Sequence, residues 1–320
     1  MNRRQFCARS ASWGLLSCGL PALASTAYPT RPIRIVVPYP AGGVVDVQTR
    51  ALTQTMAELL KNPIVVDPRP GASGSIAAEA VANSEADGYT LLVSASFLNA
   101  TPLLESNLRW QSKQFTPVAR FSLSPSYFTV PATSPARTVK EFVELAKKSP
   151  KPLQYANGGN GTPQHVANEL FRAEAGIQLE SVMYKGAPPS IPDLINGLVA
   201  MSVVPSTVVF PQVKAGKLRA LANMSNKRST QLPDVPTIAE AGFPGATVLS
   251  WYGLHAPVNT PAEVIRVLED AMRKSCATDD VKQRLMFAGG EEAFMGTREF
   301  TAFVANDARQ WGEAVKLIAK

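Results

Sequence analysis

The sequence predicts an α/β protein built on mainly parallel sheets. Short apolar, β-rich runs alternate with segments of helical spacing for most of its length, as βαβ units require. Two strand-to-helix joints are rich in glycine. With 320 residues, 45% hydrophobic and 18% charged, the composition is that of a globular protein long enough for two domains.

The elements follow in order. "IRIVV" (33–37) leads to a helix from about Val45, with Leu52, Met56, Leu59 and Leu60 on one face. "PIVVD" (63–67) leads through "PRPGASGS" to a helical stretch, and "YTLLVSAS" (89–96) is a third strand before a short helix. "TVKEFVELAKKS" (138–149) is an amphipathic helix whose Thr138 and Glu141 fit a capping box. "LQYANGGNGTPQ" (153–164) repeats the opening plan of strand, glycine-rich loop and helix. "SVMYKG", "LVAMSVV" and "KLRALAN" are further strands, and from "TPAEVIRVLEDAM" (260–272) onward the pattern is nearly all helical.

Residues 1–27 have the layout of an export signal: Arg3, Arg4 and Arg9, no acidic residue, an apolar stretch, then small residues up to Ala24 or Ala27. "NRRQF" also fits a twin-arginine signal, and either route delivers an exported, periplasmic protein. Acylation of Cys18 is the alternative, disfavoured by the short apolar stretch before it. Without that segment the balance is 29 basic against 25 acidic residues, too mild and too dispersed for a nucleic-acid footprint. Only Cys276 then remains, so no internal disulfide is available and the core must supply the stability.

Loops at the carboxyl ends of strands are where open α/β sheets hold ligands. In "PYPAGG" (38–43), glycines 42 and 43 are expected to take positive φ and to leave room for a ligand, with a helix N-terminus behind them to attract an anion. Asp46, in the first turn, is a cap or a ligand contact. "NGGNGTPQH" offers the same physics, with Thr162 as N-cap and Pro163 at the first helical position. Neither loop is a nucleotide motif, and "GASGS" is not a G-x-S-x-G elbow. The two histidines, His165 and His255, read as packing or capping residues, and no His/Cys pair has metal-ligand spacing. With no catalytic set and no cofactor motif, the pattern favours a binder over an esterase-like exported hydrolase.

Six segments together resemble one family: "YPTRPIRIVVPYPAGGVVD", "VVDPRPGASGSIAAEAVANSEADGYTLL", "YANGGNGTPQHVANELF", "YKGAPPSIPDLINGLV", "VKAGKLRALANMSNKRSTQLPDVPTIAEAGFPG" and "SWYGLHAPVNTPAEVI". The chain resembles, from about residue 28 onward, the Bug family of extracytoplasmic solute receptors of tripartite tricarboxylate transporters. The resemblance implies a periplasmic binding protein of type II-like form, with residues 28–127 plus 250–320 as one domain and 128–249 as the other. The chain would cross between them near 126–130 and 250–255. It implies a small organic carboxylate gripped by backbone amides and ordered waters of two loops, one with Tyr39, Pro40, Ala41, Gly42, Gly43 and Asp46, the other with Asn157, Gly159, Asn160, Gly161 and Thr162. Ser96, Phe97, Tyr184, Gly186 and Val204 would complete the pocket. Partners implied are the membrane components of the transporter or a sensor kinase, with the receptor itself a monomer. Members often carry acidic residues where this chain has Ala200 and Val204, a departure that bears on side-chain specificity and not on the carboxylate grip.

Overall fold

The computed structural model describes residues 28–158, 162–184 and 186–318. In chain order the elements are β1 (Ile33–Val37), α1 (Val44–Leu60), β2 (Ile64–Pro68), α2 (Ser75–Ala82), β3 (Thr90–Ser94), α3 (Phe97–Leu104) and β4 (Phe115–Leu123). There follow β5 (Ser126–Pro131), α4 (Val139–Lys148), β6 (Leu153–Asn157), α5 (Pro163–Ala175), β7 (Leu179–Met183), α6 (Ile191–Ile195), β8 (Met201–Pro205), α7 (Ser206–Lys214) and β9 (Leu218–Asn223). The chain ends in β10 (Trp251–Pro257), α8 (Ala262–Ala277), α9 (Asp279–Phe287), β11 (Glu291–Met295) and α10 (Thr297–Ile318).

The strands form two sheets, ordered β11-β4-β10-β3-β1-β2 and β7-β6-β8-β5-β9. β3, β1 and β2 at one side of the first sheet and β7, β6 and β8 at one side of the second are parallel, as expected, but β10, β4, β11, β5 and β9 pair antiparallel, so both sheets are mixed. Three strands escaped the sequence reading: β5 occupies the segment 126–130 read as a crossing between domains, and β4 and β11 were not anticipated. In β4, Pro117 and Arg120 interrupt the apolar alternation; β11, "EEAFM", is an edge strand whose glutamates read as helix.

Alternation along the strands divides each sheet between two cores. Ile33, Ile35 and Val37 face α1 and α8, packing with Leu52, Met56, Leu268 and Met272, while Val36 and Leu92 face Val81, Leu98 and Trp110 on the other side. In the second sheet Phe128, Tyr155 and Val203 pack with Phe142 and Phe171; Tyr127, Ala156 and Val204 pack with Leu194 and Val209. Each fully buried Leu, Met or Phe stabilises the fold by about 1.5–3 kcal/mol.

Local signals hold in detail. Thr138 Oγ1 accepts from the Glu141 amide at 3.1 Å, the first half of the capping box. Glu141 Oε2 takes the Arg137 amide at 2.6 Å, one residue earlier than a closed box requires. Cys276 is buried in the first core, and burial pushes its thiol up to about 12. Among the described residues no helix is long and apolar enough to cross a membrane.

Phe171 touches Phe128 and Phe243 edge-to-face, with ring centroids 4.8 and 5.2 Å apart, and its side chain is fully buried. Phe171→Ala should therefore lower the unfolding free energy by about 3–5 kcal/mol in urea titration. A loss under about 1 kcal/mol would mean that the second core does not close around this ring.

Candidate functional site

Parallel pairing places the loops after β1, β2 and β3 along one edge of the first sheet, and those after β6, β7 and β8 along one edge of the second. Tyr39, Pro40 and Ala41 form the turn after β1. Tyr39 packs partly against the first core, where burial, with Tyr252 beside it, pushes its phenol well above the usual range.

Only one of the two glycines needs a positive φ. Gly42 has φ 74°, whereas Gly43 takes −72°, open to any residue. What Gly43 needs is space, because a Cβ there would lie 3.0 Å from the Pro40 carbonyl oxygen. The glycine amides are also occupied: Gly43 N–H donates to Pro40 O at 3.1 Å and Gly42 N–H to Asp46 Oδ2 at 2.9 Å. The first helical donor is Val47, bonded to Gly43 O at 3.0 Å. Gly43 supplies no capping side chain, so the first turn of α1, Val44 to Asp46, turns uncapped amides and the positive helix end toward the loop. The uncapped amides thus sit one step further along the chain than the glycines.

Asp46 is buried at 3% exposure and acts as a brace. Burial opposes its charge, but the Arg50 hydrogen bond at 3.0 Å, the Gly42 amide and the Arg50 charge outweigh that and hold the carboxyl below its ordinary value of 3.8. Its Oδ1 is buried without a hydrogen-bond partner among the described residues.

After β3, Ser96 is the N-cap of α3 at 1% exposure, and its hydroxyl likewise has no partner among the described residues. Phe97 lies edge-on to Trp110 and covers Gly74, where a Cβ would stand 2.7 Å from the ring. Gly74 closes a loop that the sequence reading tested only as a nucleophile elbow. Gly71, Ala72, Ser73 and Gly74 have φ of 124°, 45°, 51° and 91°, a sustained left-handed turn on the same sheet edge. The glycine spacing in "RPGASGS" was the available signal.

In the second sheet, Thr162 caps α5, its hydroxyl accepting from the His165 amide at 3.2 Å. Gly159, Asn160 and Gly161 lie outside the described residues, as do Lys185 and the expected export signal at 1–27. The strand pair carries on past its ends: Tyr184 N–H meets Asn157 O at 2.7 Å and Gly186 N–H meets Gly158 O at 2.9 Å. This brings the loops after β6 and β7 together. Asn157 is buried at 1% exposure, with Nδ2 on Ser181 Oγ at 3.3 Å. The Tyr184 hydroxyl donates to Asp193 at 2.6 Å, which pushes the phenol up to about 12. Val204 has 0% exposure and packs inside the core with Tyr127 and Val209, presenting no surface to a ligand.

The two edges meet at the turn 288–290. Gln48, one turn into α1, donates to Ala288 O at 3.2 Å and accepts from Ser122 Oγ at 2.5 Å. Gly289 O accepts from Ser206, the first residue of α7, at 2.5 Å and from Ser124 at 3.4 Å. Ser229, in the segment after β9, donates to Glu291 at 2.5 Å. The one Ser–His hydrogen bond among the described side-chain contacts joins Ser94 to His255 at 2.6 Å. Both are buried, and burial pushes the His255 ring down to about 3, so the pair is a neutral structural bond without access to substrate. Among the described residues no cluster of three His, Cys, Asp or Glu could hold a metal.

Asp46 yields a pH test. Its folded pKa lies below the unfolded one, so its ionisation stabilises the fold above the ordinary value of 3.8, and that contribution is lost as pH falls below it. Asp46→Asn should cost about 1 kcal/mol at neutral pH. The gap to wild type should narrow between about pH 5 and pH 3 in urea unfolding. A gap that stays constant would show that the charge of Asp46 does not stabilise the turn.

Residues 48–319 match the family model described as tripartite tricarboxylate transporter family receptor. BugT of Bordetella pertussis is 31% identical over 299 residues, covering 92% of this chain and 91% of BugT. MatC from Rhodopseudomonas palustris, solved with bound malate, superposes with TM-score 0.74 at 28% identity, covering 90% of this chain and 100% of MatC. A further R. palustris protein, solved with adipate, gives TM-score 0.79 at 30% identity over 91% of this chain and 98% of its own. The similarity extends over nearly the whole described chain, and the chain belongs to the tripartite tricarboxylate transporter receptor family, among its Bug-type members.

Proposed function

We propose that this receptor takes up a small organic anion bearing at least one carboxylate, closing residues 28–127 plus 250–320 and residues 128–249 on it as two domains. The observation that carries this reading is the uncapped first turn of α1 at the seam where the carboxyl edges of both sheets meet. Three backbone donors at the positive end of a 17-residue helix are a seat for a carboxylate. The opposing rim is Asn157 to Thr162 with Tyr184 and Gly186, and Ser96 and Phe97 close the side. The malate and adipate found in related structures are anions of this class.

The cargo is a carboxylate without an ammonium group. Asp46 is the acidic residue of the first loop, and Arg50 neutralises it at 3.0 Å. An ammonium group enclosed beside a balanced ion pair would lack a counter-charge of its own. The receptor performs no chemistry on this cargo: it acts as a monomer in the periplasm, exported by way of residues 1–27, and presents the anion to the membrane components of its transporter.

Calorimetry against succinate, malate, adipate, benzoate, aspartate and glutamate tests the ligand class. At least one plain acid should bind at micromolar Kd or tighter, and thermal stability should rise as RT ln(1 + [L]/Kd). Binding of an amino acid with none of the plain acids would overturn it. Gly42→Val, which forces a β-branched residue to φ 74°, should weaken binding of that acid at least tenfold while far-UV dichroism stays native. Unchanged affinity in that variant would remove the first loop from the site.

A further inference from the structure

Between α9 and β11 the chain turns on two adjacent glycines, and a different helix presses on each. The turn closes α9 as a Schellman motif: Gly289 N–H donates to Met286 O at 3.0 Å and Gly290 N–H to Leu285 O at 2.8 Å, with Gly289 at φ 69°. That φ does not by itself require glycine, since Lys61 at 52° and Asn259 at 70° carry side chains in the same region. The space does. A Cβ on Gly289 would run into Thr207 Cγ2 on the first turn of α7, and would stand 3.0 Å from Ser206 Oγ and 3.1 Å from the Thr207 amide nitrogen. A Cβ on Gly290 would stand 2.6 Å from Gln48 Nε2 of α1.

The carbonyls of the turn are used in the same two directions. Ala288 O accepts from Gln48 at 3.2 Å, and Gly289 O accepts from the Ser206 hydroxyl at 2.5 Å. Gln48 and Ser206 are both fully buried; Ser122 holds the first, and the second donates its own amide to Pro125 O at 2.9 Å. The turn is thus a spacer one backbone thick, with α1 against Gly290 and α7 against Gly289. Both helices begin at the seam without a capping side chain. A second contact between the sheets, Trp311 of α10 packed with Val166 of α5, involves neither helix.

We propose that Gly289 and Gly290 are positioning residues of the receptor: a glycine spacer that sets how closely the first turns of α1 and α7 approach, and thereby the affinity of the cleft for its anion. The inference rests on the carboxylate reading above and names residues that hold the two rims of the cleft from behind.

Gly289 carries the step between the sheets, because Gly290 and Gln48 both belong to the first unit while Ser206 and Thr207 belong to the second. A packed interior does not absorb an extra methyl group in place. Thr207 is β-branched and stiff at χ1, so its Cγ2 has little freedom to move aside. A side chain at 289 would therefore drive α7 away by about 1 Å, past the roughly 0.5 Å within which a binding constellation must be held. The Ser206 bond to Gly289 O would lengthen with it, while α1 stayed on Ala288 through Gln48. The obstruction is chiefly one methyl. Without Thr207 Cγ2, the neighbours left at 3.0 and 3.1 Å need give only slightly.

Calorimetry of the whole protein with succinate, malate, adipate and benzoate tests the spacer. Gly289→Ala should weaken whichever of these acids wild type binds by about tenfold or more. Adding Thr207→Ser, which removes the obstructing methyl, should restore the affinity to within about threefold of wild type. Gly176→Ala imposes the same backbone strain at the far end of α5, at φ 60° with nothing within 4 Å of the added Cβ. It should lower the thermal midpoint as Gly289→Ala does and leave the affinity unchanged. Ser206→Ala, a milder change that introduces no clash, should weaken binding about three- to tenfold. An affinity that either Gly289→Ala or Ser206→Ala leaves unmoved overturns the proposal. So does a loss that Thr207→Ser does not relieve, or one that Gly176→Ala reproduces. If wild type binds none of the four acids, the carboxylate reading itself fails and takes this inference with it, a result distinct from wild-type binding that the variants leave untouched.

Discussion

The two passages of chain between the sheets are hydrogen-bonded to each other: the Ser124 amide donates to the Ser250 carbonyl oxygen at 2.7 Å. One passage is the short link between β4 and β5; the other is the end of the long segment before β10. Because they run side by side, the sheets share a single axis rather than two separated tethers, which favours rotation about that axis over sliding. The neighbouring groups conform to it. Ser124 turns its hydroxyl toward Gly289 O, and Tyr252 and Tyr39 pack partly against the first core.

With the axis in place, the polarity of the helices decides what the seam can hold. β1, β2 and β3 are parallel, and each leads into a helix that starts at the same edge. The N-termini of α1, α2 and α3 are therefore gathered on one side, and those of α5 and α7 on the other. Five positive helix ends around one seam favour an anion. This also explains how an exported protein with only a mild basic excess can be suited to an acid.

Legibility in the sequence was uneven for physical reasons. Strand-loop-helix joints at 33–46 and 153–165 were legible because glycine, Thr162 and Pro163 act locally. The antiparallel strands β4 and β11 were not, since pairing direction and edge position are properties of the sheet rather than of the segment. The roles of Gly42 and Gly43 differ because the Pro40 carbonyl folds back over Gly43, a contact invisible in composition. Val204 was expected at the pocket, but the alternation of β8 sends it to the opposite core from Val203. The Gln48 bond to Ala288 spans 240 residues, and nothing near either residue announces it.

The seam at 288–290 is made of serine and glutamine side chains and backbone carbonyls, while the joint at Trp311 is apolar apart from Asp307. Hydrogen bonds between neutral groups add about 0.5–1.5 kcal/mol each, because water takes their place when they part. Apolar contacts have no such substitute, and each methylene exposed costs about 0.8 kcal/mol. Contact for contact, the polar seam is therefore the less costly of the two to part and the aromatic contact the more costly.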